Sequence, residues 1–166
     1  MKKSRIFNLF QALAAAAIAL LAAAPSHAQA PASEPVTTTL EARKVVRGAD
    51  GQESFAPADV ARPGDVIEYV ATYRNTTRQL VRNLEATLPI PVHTELVPES
   101  ARPASVRASL DAREFAAPPL KRKTLVNGRE TLEPVPLREY RFLRWEPVHL
   151  GAAASMTFTA RVRVLE

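Results

Sequence analysis

Beyond residue 35, hydrophobic and polar residues alternate with a period of two, the repeat of a half-buried β-strand. The clearest case is C-terminal. Met156, Phe158, Ala160, Val162 and Val164 alternate with Ser155, Thr157, Thr159, Arg161 and Arg163, so the first set is expected to face a core and the second water. After the turn Pro63-Gly64-Asp65, Ile67, Tyr69, Ala71 and Tyr73 fall on one face and Glu68, Thr72 and Arg74 on the other, up to Asn75. A third run from Val81 to Leu88 turns Leu84, Ala86 and Leu88 inward and Asn83, Glu85 and Thr87 outward, and Pro89 and Pro91 stop it.

Weaker signals complete the pattern. Val36 to Val46, rich in Thr and Val, is expected to pair with Glu53-Ser54-Phe55 across the turn Asp50-Gly51. Val106, Ala108 and Leu110 alternate in a short strand. Lys123–Val126 and Arg129–Leu132 flank Asn127-Gly128, a strong hairpin signal. Tyr140 to Trp145 reads as a strand without clean alternation, either bulged or buried on both faces. Trp145 and Tyr69 are expected in the core. No segment after residue 30 carries a helical period. Short strands between frequent turns predict one all-β domain over residues 36–166, an antiparallel β-sandwich of about seven to nine strands.

The first 30 residues differ in kind. Lys2, Lys3 and Arg5 precede an apolar run of 13 residues, Ala12 to Ala24, and then Pro25. Ala28-Gln29-Ala30 has the small residues of a signal-peptidase site, and Ser26-His27-Ala28 is the second choice. The run is shorter than the roughly 20 residues of a spanning helix and is mostly Ala. Residues 1–30 therefore read as a cleaved signal peptide and 31–35 as a short linker. Without Cys the chain has no lipidation site of the lipoprotein kind, and without a twin-Arg pair the general secretory route is expected. No membrane span is expected after cleavage, and the protein should reside in the periplasm, on the cell surface or outside the cell.

That division changes the charge. Three of the 22 Lys and Arg residues lie in the leader and all 17 acids lie beyond it, so the remainder carries a net charge of about +2. The case for a nucleic-acid partner falls away. The absence of Cys also means that an exported domain must hold together by burial alone.

The stretch Ala61 to Pro89 resembles a bacterial family, the conserved-repeat domain of cell-envelope and surface proteins, a domain of unknown function catalogued as number eleven. The matching positions are the turn Pro63-Gly64-Asp65, Tyr69 in mid-strand, Asn75 closing the strand, and Leu88-Pro89. Trp145, the turn around Gly151 and the last strand through Val164 continue the likeness, with the Asn127-Gly128 hairpin as an insertion. Ala86 departs from the pattern, since the family usually has Asp two residues before its Leu. The resemblance implies an immunoglobulin-like sandwich in an exported protein, with no established activity.

Few residues offer chemistry. His93 and His149 sit beside Pro91-Val92 and Pro147-Val148, read as solvated loops, with Glu95 and Glu146 as their only nearby acids. No Gly-x-Ser-x-Gly, no Ser-x-x-Lys of the penicillin-binding type and no Cys nucleophile is present. Asp50-Gly51-Gln52-Glu53 lacks the spacing of a calcium loop and reads as a turn. Asn75-Thr76-Thr77 is a formal glycosylation sequon read as a strand end. Lys121-Arg122-Lys123 reads as a hairpin shoulder offset by Glu130. Neither a catalytic residue, a metal site nor a cofactor is expected.

In an immunoglobulin-like arrangement the third, penultimate and last strands lie side by side. Glu85, Arg144, Arg161 and Arg163 would then share one outer face with Thr87, Thr157 and Thr159. That face is expected to be a cross-strand charge ladder, with a binding face for an acidic glycan or a protein as the competing reading. The expected function is a non-catalytic envelope module that binds an envelope protein or polysaccharide through a sheet face or strand edge. A periplasmic chaperone-like accessory pairing an edge strand with a client and a hydrolase with an unrecognised site are the alternatives. Mass spectrometry of the exported protein should show Pro31 or Gln29 at the N-terminus, and an intact Met1 or Lys2 in a membrane fraction would overturn the cleavage.

Overall fold

The computed structural model describes residues 34–166, so the signal-peptide segment lies outside the described residues. Glu34 to Glu166 form one unit. Its strands are β1 (Val36–Arg47), β2 (Glu53–Pro57), β3 (Val66–Asn75), β4 (Val81–Pro89), β5 (Thr94–Leu96), β6 (Arg107–Ser109), β7 (Lys121–Val126), β8 (Arg129–Pro134), β9 (Phe142–Leu150) and β10 (Ser155–Val164). A five-stranded sheet runs β2-β1-β3-β10-β5 and a three-stranded sheet runs β4-β9-β6. β7 and β8 form a separate hairpin. Every pairing is antiparallel.

The two sheets form a β-sandwich. Ile67, Ala71, Tyr73, Phe158, Ala160 and Val162 from the larger sheet share one buried cluster with Ala86, Leu88, Leu143, Trp145, Val148 and Leu150 from the smaller. At its centre the Phe158 ring lies 4.9 Å from Trp145 and 5.6 Å, edge-on, from Tyr73. The alternation of β3, β4 and β10 set which residues went in. Two residues depart from it: Tyr69 is half-buried at the margin of the cluster, and Met156, expected to face the core, is exposed at the start of β10.

Ten strands exceed the expected seven to nine. The strand absent from the sequence reading is β5, three residues between Pro91 and Pro98 with too short a run to show a period. The expected neighbour relation also fails. β9 pairs with β4 and β6, whereas β10 pairs with β3 and β5 on the opposite sheet. The connection Gly151–Ala154 carries the chain from one sheet to the other, so penultimate and last strands lie on different layers. The irregular β9 has a physical cause in its partner: the β4 register shifts on both sides of Leu84, next to Asn83 in the left-handed region at φ 55°. His149 lies within β9 and accepts the Asn83 backbone N–H through Nδ1 at 3.3 Å, so it is a strand residue rather than a loop residue. The hairpin turn is as expected, with Asn127 at φ 52° and Gly128 at φ 74°.

Asn75 ties the layers at one end. Its side chain is fully buried. Nδ2 donates to the carbonyls of Gln79 at 2.6 Å, Leu150 at 3.1 Å and Gly151 at 2.8 Å, while Oδ1 accepts the Thr77 N–H at 2.9 Å and its hydroxyl at 2.8 Å. The sequon amide is therefore inside the protein. Next to it, Thr76 donates its N–H to the Pro35 carbonyl at 3.0 Å and its hydroxyl to Glu34. The end of the expected linker is thus fastened to β3.

Asn75→Ala should leave buried carbonyls without donors and cost about 2–4 kcal/mol. Asn75→Asp should cost more, because it sets a carboxylate against the same carbonyl oxygens. Urea unfolding with an unchanged slope measures both, and a midpoint equal to wild type for Asn75→Asp would contradict this role.

Candidate functional site

The register separates the four residues expected on one face. Glu85 and Arg144 do meet, at 2.8 Å on the smaller sheet, where the Arg144 guanidinium also stacks 3.7 Å over the Phe115 ring. Arg161 and Arg163 lie on β10, on the other sheet, so no surface joins all four. The reason is the layer change between β9 and β10.

Arg161 belongs to a denser cluster. In register across three strands, Glu68 of β3 sits between Arg43 of β1 and Arg161 of β10. Arg43 donates through Nε at 2.8 Å and Arg161 through Nε at 3.0 Å. Glu68 is only 6% exposed although its position in the alternation is an outward one, because the two guanidinium groups cover it. Arg161 also reaches Glu53 at 2.8 Å, and Arg47 reaches Glu53 at 3.1 Å. These bonds, first that of Arg161, hold the Glu53 carboxyl below the usual carboxylate range. Asp65 is lowered likewise, first by the Lys44 ammonium at 2.7 Å and then by the Arg62 N–H. Asp111 is lowered chiefly by the Arg113 N–H. Arg163 is exposed and makes no ion pair among the described residues. The cluster was hidden in the sequence because it depends on strand order, although three charges of alternating sign at strand centres were the available signal.

The second feature is a groove of about 1270 Å³ beside β5 and β6, lined by Pro98, Pro118, Pro119, Pro136, Leu137 and other residues. Its arginines and its tyrosine are engaged by the protein itself. Arg102 donates to the carbonyls of Glu99 and Ala101, Arg107 binds Glu146 and the Phe115 carbonyl, and the Tyr140 hydroxyl accepts the Leu120 N–H at 2.7 Å. Among the described residues no three His, Asp or Glu are grouped as metal ligands. No helix of the described residues is long and apolar enough to cross a membrane.

The third feature is an open strand edge. β1 pairs with β3 from Val36 to Val45, but β2 covers its other side only from Arg43 to Arg47. The Pro35 carbonyl accepts from Thr76 on the β3 side, so the odd-numbered residues bond to β3 and the even ones point away. Gly48 bonding to Gln52 on the β2 side fixes the same parity. The N–H and C=O groups of Val36, Thr38 and Leu40 therefore face outward, without a ladder partner among the described residues, and Ala42 borders the β2 pairing that starts at Arg43. The segment Val-Thr-Thr-Thr-Leu-Glu-Ala has no Pro and one charge. The smaller sheet does not extend beneath it: Leu40, on the core side of its sheet opposite Ala71, is 50% exposed, and Val46 38%.

The remaining edges of the two packed sheets are blunted, and the separate β7–β8 hairpin carries charged strands. On β4 the Tyr73 hydroxyl accepts the Thr87 N–H and donates to the Thr87 carbonyl, both at 3.0 Å, and Pro89 lacks a donor. On β6, Ala108 bonds to Ala116 in both directions. β5 has three residues, and β2 is flanked by Glu53 and Pro57.

Comparisons with known protein families, curated proteins and solved structures find no match. The likeness to the conserved-repeat envelope domain thus rests on the residues of this chain alone.

Arg161→Glu should destabilise by about 1–3 kcal/mol, because it places a third carboxylate beside Glu53 and the buried Glu68. Arg163→Glu should change stability by less than about 0.5 kcal/mol. In wild type the lowered carboxylates contribute stability that is complete above their unfolded-state range and is lost as pH falls through the folded values. The melting temperature should hold from neutrality and fall below about pH 4. Equal effects of the two substitutions would refute the cluster's role.

Proposed function

We propose that this is an exported, non-catalytic β-sandwich module of the bacterial cell envelope that works by pairing a strand of another chain with the open edge of β1. The observation that carries the reading is the outward row of Val36, Thr38 and Leu40 in a sandwich whose other sheet edges are blunted. Strand addition takes its affinity from main-chain hydrogen bonds and its specificity from alternate side chains. Leu40 and Val46, left uncovered on the core side, supply an apolar flank for such a strand. The leader sequence supports export, and the Pro63-Gly64-Asp65, Asn75 and Leu88-Pro89 pattern supports an envelope role of the conserved-repeat kind. The groove's arginines and tyrosine are tied to the protein itself, and its lining holds no His or Cys, which favours binding over a chemical step.

Thr38→Pro removes one outward N–H and leaves the β3 ladder intact, since residue 38 does not bond to β3. Leu40→Lys is the companion variant, placing a charge on the edge. Tagged protein recovered from envelope extracts should retain its partner chain, and both variants should lose it at unchanged melting temperature. Undiminished capture by two folded variants would show that the edge is not the working surface.

A further inference from the structure

Independently of the β1 edge, we infer that the β7–β8 hairpin is a second contact surface and that its partner is an anionic lipid bilayer, entered by Leu125 and Leu132. The hairpin pairs with no other strand. Its register sorts the side chains onto two faces. Lys121 pairs with Pro134, Lys123 with Leu132 and Leu125 with Glu130, so these six share one face. On the other, Arg122 reaches Glu139 at 2.7 Å, and the Thr124 and Thr131 hydroxyls bond to each other at 3.1 Å. The two leucines are diagonal neighbours, roughly 7–8 Å apart. They are 75% and 65% exposed, two of the three most exposed large apolar side chains among the described residues.

The same hairpin holds the surplus charge. Residues 121–134 carry Lys121, Arg122, Lys123 and Arg129 against Glu130 and Glu133, a net +2. That equals the net charge of the whole chain after the leader, so the rest is neutral. Glu130 meets Lys123 at 3.1 Å and Glu139 meets Arg122, but Lys121 and Arg129 make no ion pair among the described residues. A bilayer presents an anionic layer above an apolar one. The leucines can enter it while Lys121 and Lys123 extend back to the phosphates on their flexible stems. An acidic polysaccharide offers charge and nothing for the leucines. A stable protein interface takes about 20–30 residues a side, far more than one face of this hairpin supplies. Charged residues along both strands also oppose strand addition. The contact is therefore peripheral and reversible.

Glu34 to Glu166 form one unit, so the chain from Pro31 is the material for the test. It should bind vesicles of equal parts phosphatidylglycerol and phosphatidylcholine, less so with added salt, and pure phosphatidylcholine only weakly. Leu125→Ser with Leu132→Ser should weaken binding by about tenfold or more. Lys121→Gln with Arg129→Gln should weaken it about fivefold for each charge removed. Both pairs should melt like wild type, because all four residues are exposed. The chain has no Cys, so Leu125→Cys bearing an environment-sensitive fluorophore reads insertion. Its emission should shift to the blue on the anionic vesicles, and the same label at Val60→Cys, outside the hairpin and 71% exposed in the wild type, should not shift. Thr38→Pro should bind vesicles as wild type does, which separates this surface from the β1 edge. A wild type that ignores the anionic vesicles, or undiminished binding by both folded pairs, would overturn the inference. Binding lost only with Lys121 and Arg129, together with an unshifted label at residue 125, would also overturn it. That is the pattern of an acidic protein or polymer that uses the charges alone.

Discussion

One buried amide holds the end of the sandwich together. Asn75 closes β3, and its Nδ2 reaches carbonyls at the end of β9 and in the crossing that follows, so a single side chain joins a strand of the larger sheet to the exit of the smaller. The crossing between β9 and β10 is four residues long, and its Ala154 carbonyl accepts the Asn75 backbone N–H at 2.9 Å. An amide is suited to the place. It supplies donors to the carbonyls and an acceptor to Thr77 in one group, without the desolvation cost of a charge. The same end also anchors the start of β1 through Thr76 and Pro35, so the placement of β1 depends on the order Asn75 imposes.

From that fixed end the two sheets meet different needs. The smaller sheet is covered on its core side and carries Phe115 under Arg144 on its outer side. The larger sheet is wider by two strands, and part of its core-side face is left beyond the smaller one. Across its outer face, Glu68 with Arg43 and Arg161 fastens the three central strands. Guanidinium groups suit this position because each can hold a carboxylate by its fork while its stem covers neighbouring apolar surface.

Much of the architecture was legible. Strand alternation placed the core faces of β3, β4 and β10, the Asp50-Gly51 and Asn127-Gly128 turns located two hairpins, and Asn75 was marked as a strand terminus. Strand order was not legible, because alternation fixes which face a residue occupies and says nothing about its neighbour across the sheet. That is why Glu85 and Arg144 were brought together while Arg161 and Arg163 went to another layer. Burial of Glu68 was missed for the same reason: the residues that cover it are 25 and 93 positions away. The β1 edge was visible as a run of β-branched residues without Pro. Its freedom became visible only from β2, which is too short to cover it.

The Tyr73 hydroxyl carries a consequence for growth. By occupying both outward groups of Thr87 it removes the smaller sheet from the set of edges that a foreign chain can extend. With β6 tied to Ala116 and β2 and β5 short, the two packed sheets of the described residues offer one long place for a strand to add, the charged β7–β8 hairpin standing apart from them. A building block with two such places polymerises without limit, as in cross-β fibres; a block with one is saturated after a single addition. One phenolic oxygen in the core thus helps to set the valence of the surface.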